Sequence, residues 1–196
     1  MNVWASFGLG LSAALMPGAL QAFFFARAVQ KGWRGAWYLA FTPLLSDGPV
    51  VALTLWALGR LPQGWLNGLR GVGAVFLLWM AWRLWREAAA PQAQTMDDLQ
   101  ARARTLAQAV TINWFNPNVY LFWATVLGPP VLAAWETDPW AGVRLVAAFY
   151  AAMVAGSLAM LFAFGRAHGL NPIWRARLTR GSAGLMALFA GLLIWR

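Results

Sequence analysis

Residues 106–127 read LAQAVTINWFNPNVYLFWATVL, an uncharged stretch long enough to cross a bilayer once, yet interrupted midway by Asn116-Pro117-Asn118. A crossing takes about 20 apolar residues. Proline removes a backbone donor and clashes with the preceding turn, while Asn116 suits an N-cap and Pro117 the first position of a new helix. The sequence therefore predicts a helix that is broken and restarted within the span. An earlier stretch, residues 3–26, carries a similar interruption at Met16-Pro17-Gly18-Ala19, where Gly18 tolerates an altered backbone. Two spans with a mid-span break point to one motif used twice.

Working outward, further apolar stretches lie at 36–58, 68–86, 141–165 and 181–195, giving six in all. The only long polar stretch, Glu87 to Arg104 with Pro91, Gln92, Gln94, Asp97, Asp98 and Gln100, separates three spans from three. Three is odd, so the second triplet crosses in the opposite sense, as in inverted-repeat transporters. The expected fold is an all-α integral membrane protein. It forms a single transmembrane domain over residues 1–196, with repeat one at 1–86, a linker at 87–105 and repeat two at 106–196. Residues 27–34, 83–104 and 166–180 hold 11 of the 15 Lys and Arg residues. The positive-inside rule places these segments in the cytoplasm and both termini outside a cell (plasma or inner) membrane.

Composition agrees with lipid as the solvent: 61% of the 196 residues are hydrophobic and 11% charged. The net charge of +9 comes from basic residues at span ends, so it reads as a topology signal and not as a nucleic-acid surface. There is no cysteine and one histidine, which excludes a thiolate or histidine metal site, and no cofactor is expected. Most of the 14 Trp residues, among them Trp4, Trp33, Trp85, Trp140 and Trp174, fall near span ends as interfacial anchors. Residues 1–22 lack a basic leading segment and read as the first span, not as a cleaved signal peptide. Gly64 and Gly68 form a GxxxG, with Gly71 beyond it and Gly181, Gly184 and Gly191 in the last span. Such spacing allows close helix packing within one protomer or in a homodimer.

Of six acidic residues, only Asp47 falls inside a span, and it sits centrally in the second, between Pro43 and Pro49. An ionised Asp there costs roughly 2.5–3.5 kcal/mol on insertion scales. A water-filled cavity, a bound cation or protonation would offset that cost; so would a purely structural bond to Ser46, Thr42 or a carbonyl freed by the prolines. The half-helices after Pro17 and Pro117 begin near the midplane from opposite sides, and their amide-bearing ends suit a substrate carboxylate. Anion-binding ends and one carboxylate at similar depth fit a zwitterion. The candidate substrate or coupling residues are Pro17, Gly18, Ala19, Gln21, Ser46, Asp47, Asn113, Asn116, Pro117 and Asn118. Asp47 is the coupling or ammonium-binding group, and Gly18, Ala19, Asn116 and Asn118 supply backbone or amide contacts. Trp114 and Trp123 flank the second break and read first as packing, second as cation–π partners. His168 lies in a basic loop, where solvent or a headgroup is its expected neighbour.

The early Leu-Met-Pro-Gly-Ala, the Ser46-Asp47 pair and the run Asn113-Trp114-Phe115-Asn116-Pro117-Asn118 leading to Phe122-Trp123 together resemble the LysE/RhtB family of amino-acid exporters. The resemblance covers essentially the whole chain. It implies six spans in two inverted triplets and export of basic or neutral amino acids coupled to protons or to the membrane potential. The family's Pro-Gly-Pro maps onto Pro17-Gly18, with Ala19 in place of the second proline, its Asn-Pro onto Asn116-Pro117, and its acidic residue onto Asp47. Ala19 bears on the substrate more than on the fold.

The leading expectation is thus a secondary exporter of an amino-acid-like solute working by alternating access, with membrane lipid its other partner and no nucleic acid. A cation exporter or channel on the same scaffold is the alternative, since a lone carboxylate can serve a cation alone. An intramembrane enzyme is the weakest reading. One carboxylate in the spans and a loop histidine assemble neither an acid/base pair nor an activated nucleophile.

Overall fold

Prolines and glycines set the helix boundaries of this chain. The computed structural model describes residues 1–56, 63–88 and 98–195. Arg60, Pro91, Gln92, Gln94 and Asp97, and with them the middle of the expected linker, lie outside the described residues, as do the surroundings of Gly64 and Gly68. The helices are α1 (Val3–Leu15), α2 (Ala19–Ala36), α3 (Thr42–Trp56), α4 (Gln63–Glu87), α5 (Asp98–Trp114), α6 (Pro117–Phe122), α7 (Gly128–Thr137), α8 (Pro139–Gly165) and α9 (Pro172–Trp195). No strand occurs among the described residues.

Asn2 caps α1, its side chain accepting from the Ala5 amide at 2.8 Å. The helix stops before Pro17, and the path bends by 65° between Val3–Leu15 and the helix beginning at Ala19. Across this break the Gln21 amide donates to the Ala14 carbonyl at 3.4 Å, taking up an acceptor the helix leaves unpaired. Gly18 is extended (φ −167°), a backbone open to any residue. Its constraint is therefore space, since a Cβ there would meet Gln21 Oε1 at 3.1 Å. The second break follows the capping chemistry closely: Asn116 Oδ1 accepts from the Asn118 amide at 3.1 Å and Pro117 opens α6.

Several helices outrun their apolar stretches. α2 continues past residue 26 to a break at Gly32 and resumes to Ala36, α9 begins at Pro172 and not at 181, and α5 begins at Asp98. Arg, Lys and Gln are good helix formers, so a helix continues past the hydrocarbon into the headgroup layer, where an apolar window ends too early. By length and apolarity alone, Pro139–Gly169 qualifies as a spanning helix, and the bent pair from Val3 to Thr54 qualifies together. The fourth apolar stretch is interrupted twice: beyond Asn116 it widens into a π turn at Trp123–Leu127. Gly128-Pro129-Pro130 explains this, because two adjacent prolines withhold the amides that the preceding α turn needs.

α1 and α8 run parallel, with Ser6 Oγ donating to the Leu145 carbonyl at 2.6 Å, Gly10 against Phe149 and Ala14 against Gly156. The approach is backbone to backbone: a Cβ on Gly10 would fall 2.1 Å from the Phe149 carbonyl oxygen. α2 packs on α8 and α9, α4 on α9, and α3 on α5, α6, the π turn and α7. One core gathers Phe23, Phe24, Leu39, Met80, Leu84, Ile112, Leu161 and Met186, and a second gathers Trp123, Leu127, Val131, Leu145 and Phe149. Exposed tryptophans mark both ends, with Trp4, Trp135 and Trp140 at one and Trp33, Trp82, Trp85 and Trp174 at the other.

Candidate functional site

The site grows from the start of α3, where Thr42-Pro43 opens the helix and Pro49 interrupts its hydrogen bonding nearly two turns later. Ser46 and Asp47 lie between the two prolines, and Asp47 is only 2% exposed. Its Oδ1 accepts from Asn113 Nδ2 at 2.7 Å and lies 3.1 Å from Ser46 Oγ, while Oδ2 accepts from the Tyr150 hydroxyl at 3.0 Å. The Trp123 side chain lies close to the same carboxylate. Groups from α3, α5, the π turn and α8 thus converge on one carboxylate.

Donor bookkeeping fixes the orientation of Asn113. Its Nδ2 has two protons and two acceptors, Asp47 Oδ1 at 2.7 Å and Ser46 Oγ at 2.7 Å, so the amide nitrogen faces the carboxylate. Ser46 has one proton, shared between the Thr42 carbonyl at 2.9 Å and Asp47. The second break is knitted to the same place, since Trp114 Nε1 donates to the Ser46 carbonyl at 2.8 Å and Tyr120 donates to the Trp114 carbonyl at 3.0 Å. Trp123, 1% exposed, stacks on Tyr150 with ring centroids 6.3 Å apart.

Of the residues singled out in the sequence, Ser46, Asp47 and Asn113 meet directly. Asn116, Pro117 and Asn118 form the cap of α6 just beyond Trp114. Pro17, Gly18, Ala19 and Gln21 form the first break, and no hydrogen bond among the described residues joins them to Asp47. Tyr150 is a partner that the sequence does not single out, and Trp123, read first as packing beside the second break, stands next to it; a phenol and an indole well inside apolar runs are a signal, but not a specific one. Thr42 belongs here too: its hydroxyl is buried without a hydrogen-bond partner among the described residues, one turn from Ser46. Beside Tyr150 lies an apolar groove of about 520 Å³, lined by Phe41, Leu44, Ala147, Val154 and Leu158.

Two residues stand away from this centre, each with a correction. Arg27 is not a loop residue: it is 7% exposed on α2, donating to Gln30 Oε1 at 2.9 Å and Gln108 Oε1 at 3.2 Å, with its guanidinium over the Phe23 ring. His168 is half-buried, with one ring nitrogen turned inward. Its Nδ1 lies 3.0 Å from the Val29 carbonyl, which the helix loses where Gly32 turns to φ +70°. No group of three His, Cys, Asp or Glu suited to a metal occurs among the described residues.

A broken span and a proline-interrupted helix meeting at one buried carboxylate suit a membrane translocator. The sequence matches the LysE type translocator family over residues 11–196, and the chain belongs to that family, a family of transporters. The molecule is accordingly a membrane protein. No curated protein and no solved structure gives a match.

Proposed function

We propose that this protein is a secondary exporter of amino-acid-like zwitterions across the cytoplasmic membrane, working by alternating access, with Asp47 as the group that pairs with the solute ammonium or with the coupling proton. The carrying observation is that a single intramembrane carboxylate ties together three spans through Asn113, Ser46 and Tyr150. A group shared in this way changes the packing of all three when its charge is neutralised or re-paired. The amide end of α6, capped by Asn116, is the matching candidate for the solute carboxylate.

The six-span layout with inverted triplets draws support from the pairing of helices. The first span (α1 and α2) packs on the fifth and sixth (α8 and α9). The fourth (α5 to α7) packs on the second and third (α3 and α4). Exchanging the triplets maps each set of contacts onto the other, as a pseudo-two-fold axis requires. In this layout the basic ends of α2, α4 and α9 face the cytoplasm and both termini face outside.

The charge count narrows the solute. The groove beside Tyr150, the partner of Asp47, is apolar, and the other acids, Glu87, Asp97, Asp98, Glu136 and Asp138, lie outside the apolar stretches. One carboxylate and an apolar wall suit a solute with one positive charge and an aliphatic side chain better than one with a second cation. The test is efflux from proteoliposomes loaded in turn with labelled amino acids, with and without a pH gradient. Leucine-like solutes should leave at least about tenfold faster than lysine, the ratio for 1.4 kcal/mol of discrimination. Absence of any amino-acid efflux, with cation flux present, would replace this proposal with the ion-transport reading.

A further inference from the structure

Away from the Asp47 centre, the end of α4 and the start of α9 carry a concentration of positive charge. Arg86 and Arg177 are exposed, with guanidinium groups 4.8 Å and 4.9 Å from the ring centres of Trp82 and Trp174. Arg180 crosses from α9 to lie 5.6 Å over the Trp85 ring of α4, which ties the first turns of α9 to the last turn of α4. Arg175 and Arg180 each hold a buried Nε–H with no hydrogen-bond partner among the described residues. The described residues contain no acid paired with either. A guanidinium stays charged at any physiological pH, and its terminal Nη donors make charge-assisted hydrogen bonds to an anion that reaches them.

We propose that the seam between these helix ends binds the phosphodiester headgroup of an anionic phospholipid, with Arg175 and Arg180 as the principal ligands. Charge complementarity supplies the headgroup. The tryptophans supply the rest of the identification: Trp82, Trp85 and Trp174 are 55%, 54% and 52% exposed at the same end of the molecule. Indole rings at that level suit the boundary between headgroup and acyl chain, and a free phosphate would leave them uncovered. The positive amino end of α9, capped by Asn171 through the Trp174 amide at 3.0 Å, adds to the same field. Basic pockets between spanning helices are a general means of holding acidic lipid.

The experiment is native mass spectrometry of the full-length protein released from detergent and titrated with phosphatidylglycerol or phosphatidylcholine. The proteins compared are the native chain, R175Q/R180Q, and R144Q as a control at the opposite end. The native protein and R144Q should retain phosphatidylglycerol in preference to phosphatidylcholine. R175Q/R180Q should bind it about tenfold more weakly, the loss expected for removing charge-assisted contacts. Should the double variant not fold, R180Q alone is read in the same way. Equal phosphatidylglycerol occupancy in native and variant protein overturns the proposal. So does displacement of the lipid by millimolar inorganic phosphate, which would reduce the site to a simple anion site.

Discussion

Replacing Asp47 by Asn separates the electrostatic role of this residue from its part in holding the fold. The carboxylate accepts from Asn113 at 2.7 Å and from Tyr150 at 3.0 Å, with Ser46 at 3.1 Å. A hydrogen bond to a charged group contributes about 1.5–3 kcal/mol and a neutral one about 0.5–1.5, so three weakened bonds lose roughly 3 kcal/mol together. Against this, Asn no longer places a charge at the centre of a span, which returns roughly 2.5–3.5 kcal/mol on insertion scales. The terms nearly cancel, because the Tyr150 hydroxyl can turn to accept from the new amide. The D47N protein should therefore melt within a few degrees of the native one. Transport should behave differently: losing one partner of a buried charge pair costs about 3–5 kcal/mol, a fall of at least about 10²-fold in gradient-driven efflux. The assay is proteoliposome efflux alongside thermal unfolding in detergent. A D47N protein with a native melt that still drives efflux at more than a tenth of the native rate would refute the role given to this carboxylate. D47L is the contrast, because it strands the Asn113 and Tyr150 donors and should lower stability by about 1–3 kcal/mol for each.

Tyr150→Phe removes one donor from Asp47 while keeping the ring that stacks on Trp123; coupled efflux should fall about tenfold with little loss of folded protein, and unchanged efflux would exclude Tyr150 from the mechanism. Gly10→Ala places a Cβ into the Phe149 carbonyl and should destabilise by about 1–3 kcal/mol or more, read as a lower melting temperature; an unchanged melt would mean that α1 does not sit on α8 as described. Gly32→Ala is strained whatever the space, since φ is +70°, and should cost about 1–3 kcal/mol in the same measurement. A native-like melt for Gly32→Ala would contradict the break in α2 at that residue.

How much of this was legible in the sequence depended on whether the signal was local. The breaks at Pro17 and Pro117 could be placed because a missing amide acts on its own turn, and Asp47 stood out because a carboxylate in an apolar run is costly wherever it packs. The convergence on Asp47 was not legible. Asn113 and Tyr150 are 66 and 103 residues away from it, and only the packing of α5 and α8 brings them there. Arg27 was read as a loop charge because an apolar window cannot tell an exposed arginine from one satisfied by Gln30 and Gln108. The π turn at Trp123 had a local cause in Pro129 and Pro130, but its consequence, an indole turned toward the carboxylate, depends on where α3 lies. His168 illustrates the same limit, since its acceptor exists only because Gly32 opens a helix 136 residues earlier.

The contact of Gly10 with Phe149 gives α1 a mechanical reach well beyond its own surface. Phe149 is followed in the chain by Tyr150, whose hydroxyl holds Asp47, so α1, α8 and the carboxylate form a lever with its fulcrum at the 65° bend before Ala19. With no side chain at Gly10 to act as a compliant cushion, a tilt of α1 passes undamped into α8 and appears at the phenol as a change in its distance from Asp47. The first break can thus govern the buried charge without touching it.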